Sequence, residues 1–316
     1  MVLPLTTWLK AEGVHFILET EVSGLDFDSS DGLWMVKGVR HKRNEEYNTI
    51  AIAPDDRVFV TLGCMTEGAS LGSMSSPAHM NSKKSGGSWE LWEDIANGRL
   101  GFGHPAVFDG HIGQTKWQSF TVTLNDPAFF AFMEAFTGNA AGTGGLVTLA
   151  DSNWFMSVVL AHQPHFINQP ENVFVFWGYA LFPDRIGNFV KSPMSECTGE
   201  EILQELFQHL PLGDKANSII DAAICIPCMM PFITSQFMPR AKGDRPYVVP
   251  VGAKNFAFIG QYCEIPDDVV FTVEYSVRSA QMAVYQLLGI DKEIPPVYKG
   301  QHDVGILFNA LATLHQ

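Results

Sequence analysis

An α/β fold is what this sequence predicts, on three observations. Short apolar runs at 57–62 and 255–259 each lead into a glycine, as buried strands that present ligand-facing loops do. The tracts 198–210 and 272–288 carry helix start signals and apolar stripes. The 316 residues are 46% hydrophobic and 17% charged, which suits a substantial core in one large or two ordinary domains at roughly 100–200 residues each.

Charge and cysteine content narrow the class. The formal charge is 20 − 34 = −14, with no stripe of Lys or Arg, which argues against nucleic acid as a partner. Five cysteines, Cys64, Cys197, Cys225, Cys228 and Cys263, are too few and too scattered for a disulfide scaffold. They point to a reducing, cytoplasmic setting. The first residues lack a basic leader segment, and nowhere do about 18 apolar residues run together as a spanning helix needs.

In chain order, residues 6–10 read as a short helix stopped by Gly13, followed by strand-like runs at 15–18 and 21–27. A turn at 29–32 joins meander strands at 34–39 and 47–53, and the apolar strand at 57–63 runs into Gly63. The serine-rich stretch 66–84 has no periodicity and reads as a loop. Ser88 caps a helix through Ala96, with Glu90 in its first turn where the dipole favours an anion. The glycine-rich tract 138–145 lies between a helix at 129–136 and a strand at 146–149, the reverse of the order in a dinucleotide fingerprint, so it reads as a connection. A β-prone run covers 173–179, and a capping box from Thr198 to Glu201 opens a helix that Pro211 ends. The strand at 255–260 ends on Gly260. The helix at 272–288 shows a stripe of Val273, Val277, Ala280, Val284, Leu287 and Leu288.

Four features carry chemistry. Gly260 followed by the helix start at Thr272, Glu274 and Ser276 could seat a pyrophosphate or a ring carbonyl on free backbone N–H groups, or could be an ordinary helix cap. His162 and His165 flank a proline that removes helical ligand spacing, so zinc is disfavoured and His165 stands as a donor to a carboxylate. Cys225 and Cys228 have redox spacing but follow a predicted helix, the wrong context for thioredoxin-like chemistry, and read as buried thiols. Arg240, Lys242 and Arg245 form a basic cluster that is either a solvated loop or an anchor for an acidic ligand. The 12 Met and 23 Phe are core residues or the lining of an alkyl tunnel. No nucleophile elbow, phosphate loop or strand-linked Gly-x-Gly-x-x-Gly is found.

Taken together, several tracts resemble the oleate hydratase family, also called myosin-cross-reactive antigens. They include Gly86-Gly87-Ser88-Trp89-Glu90-Leu91-Trp92, Gln163-Pro164-His165-Phe166 with Asn168-Gln169-Pro170, and Glu196-Cys197-Thr198-Gly199-Glu200. Ile226-Pro227-Cys228-Met229-Met230-Pro231, Asn255 to Gln261 and Val270 to Arg278 continue the resemblance in order over nearly the whole chain.

The resemblance implies an FAD-dependent hydratase that adds water to the cis double bond of oleic or related free fatty acids, giving 10-hydroxy acids, with no net redox role for the flavin. It implies homodimers and leaves room for peripheral membrane contact. The implied architecture is a partial two-dinucleotide-binding-like FAD domain with an inserted α+β substrate domain and a helical C-terminal tail. Residues 1–63 and 251–290 would belong to the FAD domain, 64–250 to the substrate domain and 291–316 to the tail. By position Val22, Gly63, Cys64, Gly260, Thr272, Glu274 and Ser276 would line or neighbour FAD, and His165 would meet the fatty-acid carboxylate. The catalytic glutamate and tyrosine are expected upstream of Met1. Two departures stand out: the family's Thr-x-Asn-x-x-x-His clamp reads Val159, Ala161 and His165 here, and Cys64 replaces a usual serine. A non-catalytic lipid- or partner-binding descendant is the rival expectation.

Overall fold

Why strands and helices alternate here is visible in a computed structural model that describes residues 2–83, 85–143, 146–268 and 272–314. From the N-terminus, α1 (Val2–Ala11) precedes β1 (Glu21–Ser30), β2 (Leu33–Arg43), β3 (Glu46–Ala51), β4 (Val58–Thr61), β5 (Ser70–Leu71) and α2 (Ser88–Ala96). Next come α3 (Ala106–Asp109), α4 (Ile112–Thr115), β6 (Trp117–Leu124), α5 (Ala128–Thr137), β7 (Val147–Thr148), β8 (Met156–Leu160) and β9 (Phe174–Ala180). The chain ends with α6 (Gly199–Gln208), α7 (Lys215–Asp221), β10 (Ala223–Met230), β11 (Phe256–Ile259), α8 (Val273–Leu288) and α9 (Val304–Leu314). It divides into two compact units, one of residues 1–62, 94–104 and 241–316, the other of 63–93 and 105–240.

The first unit holds two small sheets. In β1-β2-β3 the pairing of Ser30 with Leu33 leaves a two-residue loop, Asp31-Gly32, with φ of 52° and 75°. Those positive values suit the right-handed twist of the flanking strands, and they explain glycine at the second position. β4 and β11 pair in parallel, Thr61 opposite Ile259, so the two glycine-ended runs lie side by side. Asn255 ties the sheets together: its Oδ1 accepts from Val36 N at 2.9 Å and its Nδ2 donates to Val36 O at 2.9 Å, imitating a strand partner. Phe27, Trp34, Phe102, Phe256 and Phe258 fill the space between, with ring centroids 5.3 Å apart for Phe27 and Phe256. Edge-to-face contact of this kind adds to plain burial.

The second unit is built on a sheet of order β5-β10-β6-β9-β8-β7, antiparallel throughout. Phe120, Val122 and Leu124 of β6, Phe176 and Ala180 of β9, and Met156 and Val158 of β8 share one face with Ile202, Leu203, Leu206 and Phe207 of α6. Phe129 of α5 stacks on Phe176 at 4.6 Å. The capping box at Thr198 forms as its sequence requires: Glu201 N donates to Thr198 Oγ1 at 3.3 Å and Thr198 N to Glu201 Oε2 at 2.8 Å. Trp89 and Trp92, both fully buried, pack against Phe232 and Phe108 respectively.

Several local expectations are corrected. Residues 15–18 form no strand, and they are exposed. The loop at 66–83 contains the short β5, while Lys84 lies outside the described residues, as do Gly144 and Gly145 of the glycine-rich tract and Val269, Val270 and Phe271 before α8. The helix read at 198–210 is α6, a further helix α7 not expected from the sequence leads into β10, and both cysteines sit in that strand on opposite faces, Cys225 buried and Cys228 half-buried. On α8 the buried stripe is Tyr275, Ser279 and Ala283, whereas Val273 and Val277 are exposed. Hydrogen bonding decides this: Tyr275 OH donates to Cys263 O at 2.6 Å and accepts from Ile265 N at 3.2 Å, and Gly260 N donates to Ser279 Oγ at 2.9 Å. Arg245 of the basic cluster is 3% exposed and donates to Tyr275 OH at 3.4 Å, so it is no solvated loop cation. No helix among the described residues is long and apolar enough to cross a membrane.

Candidate functional site

The face of the six-stranded sheet opposite its phenylalanine core is a different surface. Because side chains alternate along a strand, this face receives Trp117, Ser119, Thr121 and Thr123 from β6 and Val175, Trp177 and Tyr179 from β9. Cross-strand register sets them in rows: Cys228, Ser119, Tyr179, Ser157 and Thr148 in one, Ile226, Thr121, Trp177 and Val159 in the next. Most are half-buried, with Ser157 and Val175 buried and Thr121 and Thr148 exposed. Trp117 stacks on Tyr179 at 4.5 Å and 19°, and Ser157 Oγ meets Thr148 Oγ1 at 2.9 Å. Flat aromatic rings interleaved with hydroxyls suit an alkyl chain, each methylene of which gains about 0.8 kcal/mol on leaving water. None of these residues is a carboxylic acid.

His165 stands at the edge of this face. Its ring lies 5.5 Å from Trp177 and 4.7 Å from Phe166, and it is exposed. Val159 pairs with Trp177 in register and Ala161 is 6% exposed just beyond β8. The three positions that the sequence resemblance matched to a carboxylate clamp therefore share one neighbourhood, and of them only His165 offers a side-chain hydrogen bond.

Gly63 and Cys64 fall in the same unit. Gly63 has φ of 59°, and half-buried Cys64 lines a cavity of about 670 Å³ with Thr66, Glu67, Asn81 and Lys83. Cys64 Sγ is 3.4 Å from Thr66 Oγ1, and Trp89 Nε1 donates to Cys64 O at 3.0 Å. Glu67 Oε2 accepts from Trp89 N at 3.3 Å in the first turn of α2, the role expected of Ser88. Beside the cavity Lys83 Nζ serves two acids, Glu93 at 2.6 Å and Asp109 at 3.5 Å. Burial pushes the Asp109 carboxyl up to about 6. Burial likewise raises the thiols of Cys197 and Cys263 to about 12, which leaves them unreactive.

The other predicted residues lie in the first unit. Gly260 ends β11 with φ of 95°, where an added Cβ would sit 3.2 Å from Thr61 Cγ2. Thr272 is the extended N-cap of α8 and makes no side-chain cap bond, Glu274 is exposed in the first turn, and Ser276 O accepts from Ser279 Oγ at 2.7 Å. Ser279 thus links Gly260 to Ser276. Val22 lies in β1, paired with His41 in the three-stranded sheet. A parallel strand pair, a left-handed glycine and a helix start whose N-cap hydroxyl is not engaged form a donor set that fits an oxygen-rich group such as a flavin or its pyrophosphate.

The sequence reading missed the open face, because β6, β8 and β10 were not foreseen as strands. The signal was present in the alternation of Gln118, Phe120, Val122 and Leu124 with Trp117, Ser119, Thr121 and Thr123.

Comparison with known proteins bears on this geometry. The chain is 39% identical to an oleate hydratase of Streptococcus pyogenes serotype M49 (strain NZ131) over 327 aligned residues, covering 100% of this chain and 55% of the relative. It is 33% identical to a linoleate hydratase of Lactiplantibacillus plantarum over 312, covering 92% of this chain and 54% of the relative. The chain thus spans about half the length of the curated relatives it matches. The family model described as MCRA matches residues 1–285, which takes in all three sheets described, the His165 loop and nearly all of α8, and the chain belongs to the MCRA family.

Proposed function

We propose that this chain binds an unsaturated free fatty acid on the open face of the six-stranded sheet, as part of an FAD-dependent hydratase of oleic or related acids. The observation that carries the reading is that face: aromatic rings and hydroxyls in register, a histidine at its edge, and no acid among its residues. The names of the two relatives, oleate and linoleate hydratase, support the substrate class.

In this reading Trp117, Trp177, Val159 and Ile226 take the alkyl chain out of water, and the His165 imidazole donates to the carboxylate. Hydration of an isolated alkene needs a positioned acid for one carbon and a positioned water for the other. The face itself holds no acid, so in this reading those groups are supplied from outside the face. Thr272, Ser276 and Gly260 of the first unit would hold part of the FAD, which when bound supplies structural order and no net redox turnover. The α/β division into two units supports an FAD-domain portion with an inserted substrate domain. Cytoplasmic location and homodimers belong to the same proposal.

A second reading, a non-catalytic lipid-binding descendant, draws on Val159 and Ala161, which remove two hydrogen-bonding groups from the clamp. One experiment separates the two. The chain is expressed alone and fused to the portion of the Streptococcus relative that it does not cover, then assayed for bound flavin absorbance and for hydroxy-acid formation from oleate. Flavin and product are expected from the fusion, and no product from the chain alone. A fusion that folds and binds oleate but yields neither flavin nor product would support the second reading.

A further inference from the structure

The loop that carries His165 is held by two side-chain amides, and both are saturated. Gln169 Oε1 accepts from His165 N at 2.9 Å and Phe166 N at 3.1 Å, while its Nε2 donates to Gln163 Oε1 at 2.8 Å and Val173 O at 2.6 Å. Gln163 Nε2 donates to Ala161 O at 2.9 Å and Val175 O at 2.9 Å, and its Oε1 also accepts from Val175 N at 3.2 Å. The pair therefore stitches the end of β8, the His165 turn and the start of β9 into one piece. Both glutamines are half-buried, whereas Pro164, His165, Phe166, Ile167 and Asn168 between them are exposed.

An exposed turn with no apolar anchor of its own would otherwise sample many conformations, because each free residue retains about 1–2 kcal/mol of backbone entropy. Gln169 removes that freedom at the two peptide groups that set where His165 projects. Neither amide has a hydrogen-bonding atom left over for a ligand, so they act through the loop and not by contact.

We propose that Gln163 and Gln169 are positioning residues that fix His165 beside Trp177, so that a carboxylate-bearing ligand on the open face meets the imidazole at one place. This rests on the reading of His165 as the carboxylate contact. Leu or Ala at either position would leave the turn's amides to water and let the ring leave the Trp177 edge. Glu at 169 keeps an acceptor for both amides but sets its second oxygen against Gln163 Oε1 and Val173 O, so it too loosens the turn.

The test uses the full chain with oleate and methyl oleate, each below its micelle concentration, followed by tryptophan fluorescence. The wild type is expected to prefer oleate over its neutral ester by about tenfold, the scale of one charge-assisted hydrogen bond. H165A and Q169L should each abolish that preference while leaving methyl oleate affinity unchanged, and H165A/Q169L should be no worse than either. An equal fall for both ligands in Q169L, or a Q169L preference like the wild type's while H165A loses it, overturns the proposal. The nuclear Overhauser contact between the His165 and Trp177 rings in the ligand-free protein is read in parallel: its loss in Q169L supports positioning, and its survival in Q169L overturns it. If H165A keeps the oleate preference, the headgroup reading fails, and the ring contact still decides what Gln169 does.

Discussion

Phe120 and Thr121 are neighbours on β6, yet one is fully buried and the other exposed, and the same contrast runs across the whole six-stranded sheet. One face is a close-packed layer of Phe120, Phe129, Phe176 and Phe207 under α5 and α6. The other carries Trp117, Trp177 and Tyr179 between hydroxyls, with Trp117 stacked on Tyr179 and all three rings half-buried. The first face spends its apolar area on stability; the second keeps it available. Gly178 shows how tightly the first is closed, since a Cβ there would sit 2.4 Å from Phe120 Cζ.

The contrast can be broken at three places. Phe120→Ala should cost about 3–5 kcal/mol in denaturant unfolding, as removal of a buried aromatic does, while Thr121→Ala next to it should stay within about 0.5 kcal/mol. Comparable losses at both positions would mean that the faces do not differ as described. Glu205, fully buried on α6, accepts from Asn188 N at 2.7 Å, Phe189 N at 2.9 Å and Val190 N at 2.8 Å, and lies 3.3 Å from His209 Nε2. Glu205→Gln replaces one acceptor oxygen by a donor facing N–H groups, and should cost about 2–3 kcal/mol with the 188–190 loop exchanging its amide protons faster. An unchanged melt would show that the carboxylate is not what pins that loop.

The smallest effect concerns the acid beside the cavity. Asp109 has a folded-state pKa of about 6 against an ordinary 3.8, so the folded protein holds the extra proton in that window. Its contribution to stability is therefore present at low pH and lost as pH rises through 6. Asp109→Asn should raise the melting temperature at neutral pH relative to wild type, with the difference shrinking in acid. Lys83 retains Glu93 at 2.6 Å in that variant, which limits the loss of the ion pair. A variant that melts lower at neutral pH would show that the Lys83 contact outweighs burial.

How much of this was legible depends on what each segment is made of. The capping box at Thr198, the β-prone run of β9 and the two glycine-ended strands announce themselves by local chemistry alone. β10 did not, because Pro227 argues against a strand with neighbours on both sides. The structure accommodates it: Pro227 O accepts from Gly72 N at 2.9 Å, so the missing N–H points to the same side, where β5 pairs only at Cys228 and Met229. On α8 the most apolar stripe was the wrong face, since Ser279 and Tyr275 are buried for their hydrogen bonds and not for their hydropathy.

By itself the sequence determined the capped helices, the glycine-ended strands and β9, the family and the residue identities near His165, because turn chemistry, capping and periodicity act within a few residues. Only the tertiary structure decided which side of the sheet stays open and that Gln163 and Gln169 hold the histidine turn. Those outcomes depend on strand register and on amide groups six residues apart meeting across a loop, and no local pattern encodes a contact that exists only once the strands have paired.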